Sequence, residues 1–357
     1  MKFCIVLSTR PEIIKLSSFI KILKKKKENF FLVNTNQHYI KIMSKVFFNF
    51  FNIPKPKYNI KTSNKSHTSF FSKNLKEIEK ILIKEKPSHL VVQGDTNTAL
   101  AGCLACSIYN RKHSNEKKIK IVHIEAGLRS FDETMPEEIN RKIIDKLSDI
   151  LFVPTKFDLE NLKNENLLKN KKVLKTGNTI TDIVKSNLPL LKKNNIIKKF
   201  DVKKRNYFLA TLHRPESVDN YINFKKIIFT FNKISSLYKK KIIFPLHPRT
   251  EKIFNKLKIN VSKNIIITKP LEYTDFLYLM KNCRIIFTDS GGIQEESSIL
   301  GVPCITTRTT TERQVSIESK INILTGYDQK KILKAVKKFY NIKIKKTNLF
   351  GNGRVAE

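Results

Sequence analysis

Residues 284–296 read RIIFTDSGGIQEE, an apolar run followed directly by Asp289, Ser290, Gly291 and Gly292. The apolar run predicts a buried β-strand, and the paired glycines predict a tight turn from which a helix begins at once. The free backbone amides and the positive dipole at such a helix start favour an anion such as a phosphate. A plain strand–helix turn capped by Ser290 is the alternative interpretation.

Short apolar runs of this kind recur along the chain at the spacing of alternating strands and helices. Most of the intervals hold helix-length amphipathic segments, of which residues 73–82 are an example. Near-continuous apolar strands that alternate with helices indicate parallel sheets covered on both faces. The predicted strands are residues 3–7, 30–35, 89–93, 119–125, 150–153, 172–175, 207–212, 241–246, 264–268, 284–288, 303–307 and 321–324.

Half of these strands lie in each half of the 357-residue chain, which favours two Rossmann-like, doubly wound α/β domains. A single barrel would need about eight strands in one sheet of roughly 250 residues. Apolar content falls between residues 177 and 206, where Lys and Asn accumulate, so we place the linker there. The predicted domains are residues 1–178 and residues 179–357.

Nearly every predicted strand ends in a polar or glycine-containing cluster, such as Gly94-Asp95-Thr96 or His213-Arg214. In open parallel sheets, ligands bind beyond the carboxyl ends of the strands. We therefore expect the two domains to face one cleft, with ligand-binding side chains on both of its sides.

The chain carries 69 Lys and Arg residues against 31 Asp and Glu residues, a formal net charge of +38. Such an excess is typical of proteins that bind nucleic acids or anionic surfaces. However, only 11 of the basic residues are Arg, and the lysines occur in runs, such as 24–27, that suit solvated helix faces. We expect no nucleic-acid partner and keep a polyanionic partner as the alternative.

The sequence predicts a protein of the cytoplasm. No run of about 18 apolar residues is present, so no membrane insertion is expected, and residues 1–10 lack the long apolar core of a signal peptide. Five scattered cysteines suit reduced thiols. Cys103 and Cys106 form a lone CxxC pair, which at helical spacing favours core packing over a metal site.

Three basic residues can pair with a diphosphate. Arg10 and Lys15 follow the first predicted strand, and Arg313 follows Thr311-Glu312. Arg binds oxyanions with two parallel hydrogen bonds, which adds geometric specificity. A surface salt bridge is the alternative for all three, and it applies best to Lys15.

Three carboxylates have the placement expected of acid/base groups. Asp95, Glu125 and Glu137 each follow a strand end or lie in an adjoining loop, beside glycine or proline. Removing the proton of a weakly acidic C–H bond requires a base whose pKa is tuned by burial and by neighbouring carboxylates. An Asx turn at Asp95 and a helix first turn at Glu137 are the alternatives.

His213 lies at a predicted strand end, where it can donate to a phosphate or act as an acid. No His or Cys spacing predicts a metal site. No GxGxxG sequence follows the first strand, and no GxSxG sequence occurs, so neither a dinucleotide cofactor nor a serine hydrolase is indicated.

Ten short motifs occur in a fixed order along nearly the whole chain, and together they resemble the non-hydrolysing UDP-N-acetylglucosamine 2-epimerases. The motifs are STRPE at 8–12, QH at 37–38, GDT at 94–96, HIEAGLRS at 123–130, PEE at 136–138 with NR at 140–141, TGN at 176–178, HRPE at 213–216, HPRT at 247–250, DSGGIQEE at 289–296 and TER at 311–313.

The resemblance implies a GT-B-like pair of Rossmann domains and a homodimer. It also implies interconversion of UDP-GlcNAc and UDP-ManNAc, without NAD or a metal, for the synthesis of surface polysaccharide precursors. In this family a base removes the C2 proton and UDP leaves by anti-elimination, which gives 2-acetamidoglucal. UDP then adds back with protonation on the opposite face.

The resemblance also implies a role for individual residues. Asp95, Glu125 and Glu137 become the acid/base candidates, and His213 lies near the leaving diphosphate. Glu296, one turn into the helix after Ser290, would bind the ribose, and Phe276 would contact the uracil. The phosphates would be held by Arg10, Ser290, Gly291, Gly292 and Arg313.

The chain departs from the family pattern at several positions. Ser8 replaces the opening Gly, Gln314-Val315 replaces Pro-Glu, and residues 39–41 lack the Gln that some bacterial members use for a regulatory UDP-GlcNAc site. We therefore expect no such regulation. Relatives continue beyond residue 357 into a helix that crosses back to the first domain, so we also expect weaker domain closure.

Three alternative activities remain open. The first is 2-epimerisation of a UDP-2,3-diacetamido sugar or its uronate, for which Arg249, Met135 and Ser130 are candidates to line the altered sugar. The others are a hydrolysing epimerase, which releases free ManNAc and UDP, and a glycosyltransferase of the same architecture.

Overall fold

The computed structural model describes residues 1–36, 48–61, 66–193, 195–342, 344 and 346–357. The Gln37-His38 motif and positions 39–41 therefore lie outside the described residues. The chain folds into two compact units, Met1–Ile183 with Gly351–Glu357, and Val184–Phe350.

This division differs from the predicted one at two places. The break lies a few residues after 178, and the C-terminal segment Gly351–Glu357, which we assigned to the second domain, groups with the first unit. The reason is a pair of hydrogen bonds, because the amides of Val355 and Ala356 donate to the Asp182 carboxylate at 2.9 Å each.

Among the described residues, seven parallel strands form the sheet of the first unit, in the order β3-β2-β1-β4-β5-β6-β7. Six of them lie within one residue of the predicted strands; the unpredicted β3 is a two-residue edge strand, too short to show a periodic pattern. The strands are β1 (Lys2–Leu7), β2 (Asn29–Asn34), β3 (Tyr58–Asn59), β4 (His89–Gln93), β5 (Lys120–Ile124), β6 (Ile150–Val153) and β7 (Lys172–Lys175).

The helices of this unit contribute buried side chains to its core. Cys103 and Cys106, on the small-residue helix Asn97–Lys112, are buried in the core with Val6 and Val92, which confirms the predicted core packing of the CxxC pair. The helices are α1 (Arg10–Lys25), α2 (His67–Glu85), α3 (Asn97–Lys112), α4 (Pro136–Leu147), α5 (Lys156–Asn164) and α6 (Ile180–Asn187), which runs across the unit boundary.

The second unit contains a six-stranded parallel sheet in the order β10-β9-β8-β11-β12-β13. All six strands lie within two residues of the predicted ones, and their apolar side chains form a core with Phe231 and Phe339. The strands are β8 (Tyr207–Thr211), β9 (Lys241–Pro245), β10 (Ile265–Thr268), β11 (Ile286–Thr288), β12 (Cys304–Thr306) and β13 (Asn322–Leu324).

Helices connect these strands, as in the first unit. None of the helices in the described part of the chain has the length and hydropathy of a membrane span. The helices are α7 (Ile196–Lys199), α8 (Pro215–Val218), α9 (Tyr221–Tyr238), α10 (Pro248–Leu257), α11 (Tyr273–Asn282), α12 (Gly291–Leu300), α13 (Gln314–Glu318) and α14 (Gln329–Tyr340).

Both sheets reverse their strand order at one point, which lies between β1 and β4 in the first unit and between β8 and β11 in the second. Such switch points are where open α/β sheets bind ligands. The two units are thus doubly wound Rossmann-like domains, as predicted, and each presents its polar loops at a switch point.

Candidate active site

Asp95 follows β4 at the switch point of the first unit, and Arg141 of α4 holds its carboxylate. The Arg141 Nε lies 3.2 Å from Asp95 Oδ2, and Nη2 donates to the same oxygen. Asn140 donates to the Asp95 backbone carbonyl at 2.9 Å. The Asp95 side chain is still 27% exposed, so it is both oriented and accessible.

Arg141 also binds Glu138, which is fully buried. Glu138 in turn fixes the loop after β5 by hydrogen bonds. The Glu138 carboxylate accepts hydrogen bonds from the amide and hydroxyl of Ser130 at 2.9 and 2.8 Å. Glu137 is its half-buried neighbour in the first turn of α4. Because residues four apart share a helix face, Glu137 lies on the side of α4 that carries Arg141.

Glu125 directly follows β5 and has a left-handed backbone conformation, with a φ of 75°, and its carboxylate is buried. The Lys15 ammonium lies 2.7 Å from both carboxylate oxygens, and the Gln93 amide donates to one of them. The pair is buried, with exposed side-chain fractions of 7% and 4%, so Lys15 does not form the surface salt bridge considered above. A phosphate contact by Lys15 stays a prediction.

Glu12 connects the loops that carry Arg10 and Asp95. Its fully buried carboxylate accepts hydrogen bonds from the amides of Ser8 and Thr9 at 2.9 and 2.6 Å, and from the Thr96 hydroxyl at 2.5 Å. The loop after β1 is thereby fixed to the loop after β4. Arg10, half-buried, begins α1 at this junction.

Gly127, two residues after Glu125, is required for the backbone path of the loop after β5. Its φ is +83°, and an added Cβ would lie 2.3 Å from the backbone oxygen of Asp158. We expect Gly127→Ala to lower the free energy of unfolding by about 2–4 kcal/mol in urea titrations, since both strain and a backbone clash oppose it. Gly94→Ala is the matched control, because Gly94 has a φ of +68° but nothing within 4 Å of an added Cβ. Equal losses would contradict the steric explanation.

In the second unit, Asp289 fixes the loop that carries His213. Its buried carboxylate accepts hydrogen bonds from the backbone amides of His213 and Arg214, at 2.9 Å each, and its Oδ1 lies 3.2 Å from His213 Nδ1. The imidazole of His213 is 36% exposed. Asp289 therefore positions His213, which remains accessible.

This arrangement makes stability depend on pH. Burial raises the pKa of Asp289, but His213 and the two amides outweigh it and lower the pKa from 3.8 to about 2. A lowered pKa contributes about 2 kcal/mol above roughly pH 4, and this contribution is lost as the pH falls toward 2. We expect the stability difference between wild type and Asp289→Asn, measured by urea unfolding, to be smaller at about pH 3 than at about pH 6. A constant difference would contradict this assignment.

Helix α12 begins at Gly291, three residues after β11 ends, as the sequence predicted, and an anion site at its start stays a prediction. Ser290 is the N-cap residue, but its hydroxyl makes no capping hydrogen bond within the described residues, so the alternative of a Ser cap is not what forms there. An added Cβ on Gly291 would lie 2.3 Å from Glu312 Oε1, whereas one on Gly292 would lie 3.9 Å from its nearest neighbour. Gly291 thus permits the close approach of Glu312.

Arg313 lies beside this helix start and is itself buried. Its Nε is 2.6 Å from Glu295 Oε1, and its Nη1 is 3.6 Å from Glu312 Oε1. Glu312 also pairs with Arg308, at 3.0 Å. The result is a buried cluster of two cations and two carboxylates next to Gly291.

Glu296 and Phe276, the predicted ribose and uracil contacts, lie on α12 and α11 of the second unit. The Tyr273 hydroxyl donates to Glu296 Oε1 at 3.0 Å, and Phe276 lies one turn further along α11. Both Glu296 and Phe276 are buried.

The structure thus groups the predicted residues into two sets. Arg10, Lys15, Asp95, Glu125 and Glu137 belong to the first unit, and among the described residues no group of three His, Cys, Asp or Glu side chains is arranged to hold a metal. The partners Arg141, Glu138, Tyr273 and Glu312 were not selected from the sequence, where Arg141, Glu138 and Glu312 were visible only as parts of motifs. The second set belongs to the second unit and consists of His213, Phe276, Ser290, Gly291, Gly292, Glu296 and Arg313.

Comparison with known proteins gives the same family along the whole chain. Residues 21–357 match the family model described as UDP-N-acetylglucosamine 2-epimerase. The UDP-N-acetylglucosamine 2-epimerase of Methanocaldococcus jannaschii is 47% identical, over 100% of this chain and 97% of that protein. The UDP-2,3-diacetamido-2,3-dideoxy-D-glucuronate 2-epimerase of Pseudomonas aeruginosa is 34% identical, over 100% and 97%.

A solved structure agrees. The crystal structure of the Methanocaldococcus jannaschii enzyme, in complex with UDP-GlcNAc and UDP, has a TM-score of 0.90 and 46% identity, over 100% of this chain and 97% of that one. Both the sequence and the GT-B-like fold therefore lead to one assignment. The chain is an isomerase that belongs to the UDP-N-acetylglucosamine 2-epimerase family.

Proposed function

We propose that this chain interconverts UDP-GlcNAc and UDP-ManNAc by a non-hydrolysing, cofactor-free 2-epimerisation. The observation that carries the proposal is the set of three carboxylate residues near the switch point of the first unit. There, Asp95 is accessible and held by Arg141, Glu125 is buried and held by Lys15, and Glu137 begins α4. Family membership supports the same substrate.

In the proposed reaction, a carboxylate of the first unit takes the C2 proton. The electrons of the C2–H bond form a C1=C2 double bond, and the bond between C1 and the diphosphate oxygen breaks, which releases UDP and 2-acetamidoglucal. Return of UDP to C1 with protonation at the opposite face of C2 completes the inversion. Asp95 is our candidate for the group that exchanges the C2 proton, because its carboxylate is the more exposed of the two that are held by cations.

We propose that UDP binds to the second set of residues. The start of α12 and Arg313 supply the donors that a diphosphate requires. Glu296 offers a carboxylate to the ribose hydroxyls, and Phe276 offers a ring to the uracil. His213, fixed by Asp289 and partly exposed, is the proposed hydrogen-bond donor to the leaving diphosphate.

The test is incubation of the protein with UDP-GlcNAc in D2O, followed by NMR. We expect deuterium at C2 and a mixture of UDP-GlcNAc and UDP-ManNAc, with the UDP linkage retained in both. Free ManNAc would instead indicate a hydrolysing epimerase. Dependence on an added acceptor would indicate a glycosyltransferase.

A second candidate substrate is a UDP-2,3-diacetamido sugar or its uronate, favoured by the full-length match to the Pseudomonas aeruginosa relative. The same NMR assay separates the two. Exchange at C2 of the diacetamido uronate but not of UDP-GlcNAc would assign the diacetamido uronate as the substrate, with the same mechanism.

We further propose that the protein is a cytoplasmic homodimer that supplies polysaccharide precursors. Light scattering coupled to size-exclusion chromatography tests the oligomeric state, and a monomer at micromolar concentration would contradict it. Despite the net charge of +38, we expect no DNA binding at physiological salt. A mobility shift that falls steeply with salt would favour the polyanion alternative.

A further inference from the structure

A fully buried histidine contacts the loop that carries Asp95, one of the proposed acid/base residues. His123 is the fourth residue of β5, and its imidazole contacts polar groups on both sides. Nδ1 lies 2.8 Å from Asp145 Oδ1, and Nε2 lies 2.8 Å from the backbone oxygen of Gly94. Neither contact has a role in the proposed reaction steps.

The contact to Gly94 identifies the donor. A backbone carbonyl oxygen only accepts hydrogen bonds, so the proton of this contact belongs to His123 Nε2. Gly94 is the residue immediately before Asp95, and its φ of +68° makes the backbone there a left-handed turn. The imidazole therefore donates a hydrogen bond to the peptide group that links Gly94 to Asp95.

Asp145 of α4, the other partner of His123, also reaches the second carboxylate loop. Its oxygens accept the amide of Gly127, at 3.2 and 3.4 Å, two residues after Glu125. Arg129 Nη1 lies 2.8 Å from Asp145 Oδ2. Burial raises the pKa of Asp145, but the hydrogen bonds and charges of His123 and Arg129 outweigh it and lower the pKa. Asp145 is thus an ionised carboxylate that contacts both loops, one through His123.

We propose that His123 is a positioning residue for the epimerisation: its Nε2 hydrogen bond to the Gly94 carbonyl fixes the orientation of the Gly94–Asp95 peptide and thereby of Asp95. This rests on the proposed acid/base role of Asp95. The side chain itself is completely buried, so it does not touch the substrate. Its effect on rate comes from the orientation of the Gly94–Asp95 peptide, since small displacements of a reacting group lower rates strongly.

Two substitutions separate the two contacts of the imidazole. The side-chain amide of His123→Gln can occupy the place of Nε2 and donate to the Gly94 carbonyl. The side-chain amide of His123→Asn can occupy the place of Nδ1 and reach only Asp145. We expect His123→Asn to lower the rate of C2 deuterium exchange by about 10–100-fold and His123→Gln by less than about 5-fold. The affinity for UDP, measured by calorimetry, should change by less than about 2-fold in both variants.

A merely structural role predicts a different result, because both variants would then lose rate in proportion to their loss of thermal stability. Equal rates in the two variants, or a lower rate in His123→Gln, would overturn the proposal. His113→Asn, a partly exposed histidine of the same unit, is the matched control and should leave the exchange rate unchanged.

A measurement on the wild type keeps the proposal testable if the variants do not fold. With 15N-labelled histidine, the Nε2 proton of His123 should give a slowly exchanging imidazole signal, because the ring is buried and hydrogen-bonded. Absence of any such signal would overturn the Gly94 contact. Failure of the wild type to exchange C2 of any UDP-sugar would overturn the proposed function instead, and leave this signal in place.

Discussion

Asp95→Asn is expected to stop deuterium incorporation at C2 of UDP-GlcNAc while UDP still binds. The amide keeps the size of the carboxylate and a hydrogen-bond acceptor for Arg141, but it cannot take a proton. General acid–base groups contribute about 10²–10⁴-fold, so we expect a loss in exchange rate of at least about 10²-fold. The measurements are C2 exchange by NMR in D2O and UDP affinity by calorimetry.

The control for this substitution is Asp201→Asn. Asp201 is a surface residue, 98% exposed, which pairs with Lys241, so its amide variant should exchange C2 at the wild-type rate. Loss of UDP binding in Asp95→Asn would show that Asp95 binds substrate rather than moves the proton. If Asp95→Asn still exchanges C2, the residue that takes the C2 proton is Glu125 or Glu137 instead.

The strands and their polar ends could be predicted from the sequence because they depend on local pattern. Residues 90–92 are apolar and are followed by Gln93, Gly94 and Asp95, and this signal alone places Asp95 at the carboxyl end of a parallel strand. The same holds for residues 284–288 and Asp289. The two-residue edge strand β3 has no such signal, since its hydrogen bonds to β2 depend on the neighbouring strand.

The partners of the site residues could not be predicted, because they come from distant parts of the chain. Lys15 and Glu125 are separated by 110 residues, and their pairing follows only from the packing of α1 beside the end of β5. The sequence predicted Lys15 as a phosphate ligand or a surface residue, and the structure shows a buried ion pair. Arg141 likewise becomes recognisable as the partner of Asp95 only when α4 lies beside the loop after β4.

The buried pair of Lys15 and Glu125 leads to the second large expected effect. Glu125→Gln removes the negative charge and leaves the Lys15 ammonium buried, with exposed side-chain fractions of 7% and 4% in the wild-type pair. Breaking a buried ion pair at one partner costs about 3–5 kcal/mol. We therefore expect Glu125→Gln to lower the free energy of unfolding by about that amount and to lower the C2 exchange rate by at least about 10²-fold.

The double variant Lys15→Met with Glu125→Gln separates these two losses. Met fills much of the volume of the lysine stem without a charge, so stability should recover by about 1–4 kcal/mol relative to Glu125→Gln, since apolar replacement of a buried pair is often neutral or stabilising. The exchange rate should stay low, because no acid/base group has been restored. Recovery of the exchange rate together with stability would show that Glu125 acts through folding alone. Failure of stability to recover would show that the Gln93 contact, rather than the ion pair, holds Glu125 in its left-handed conformation.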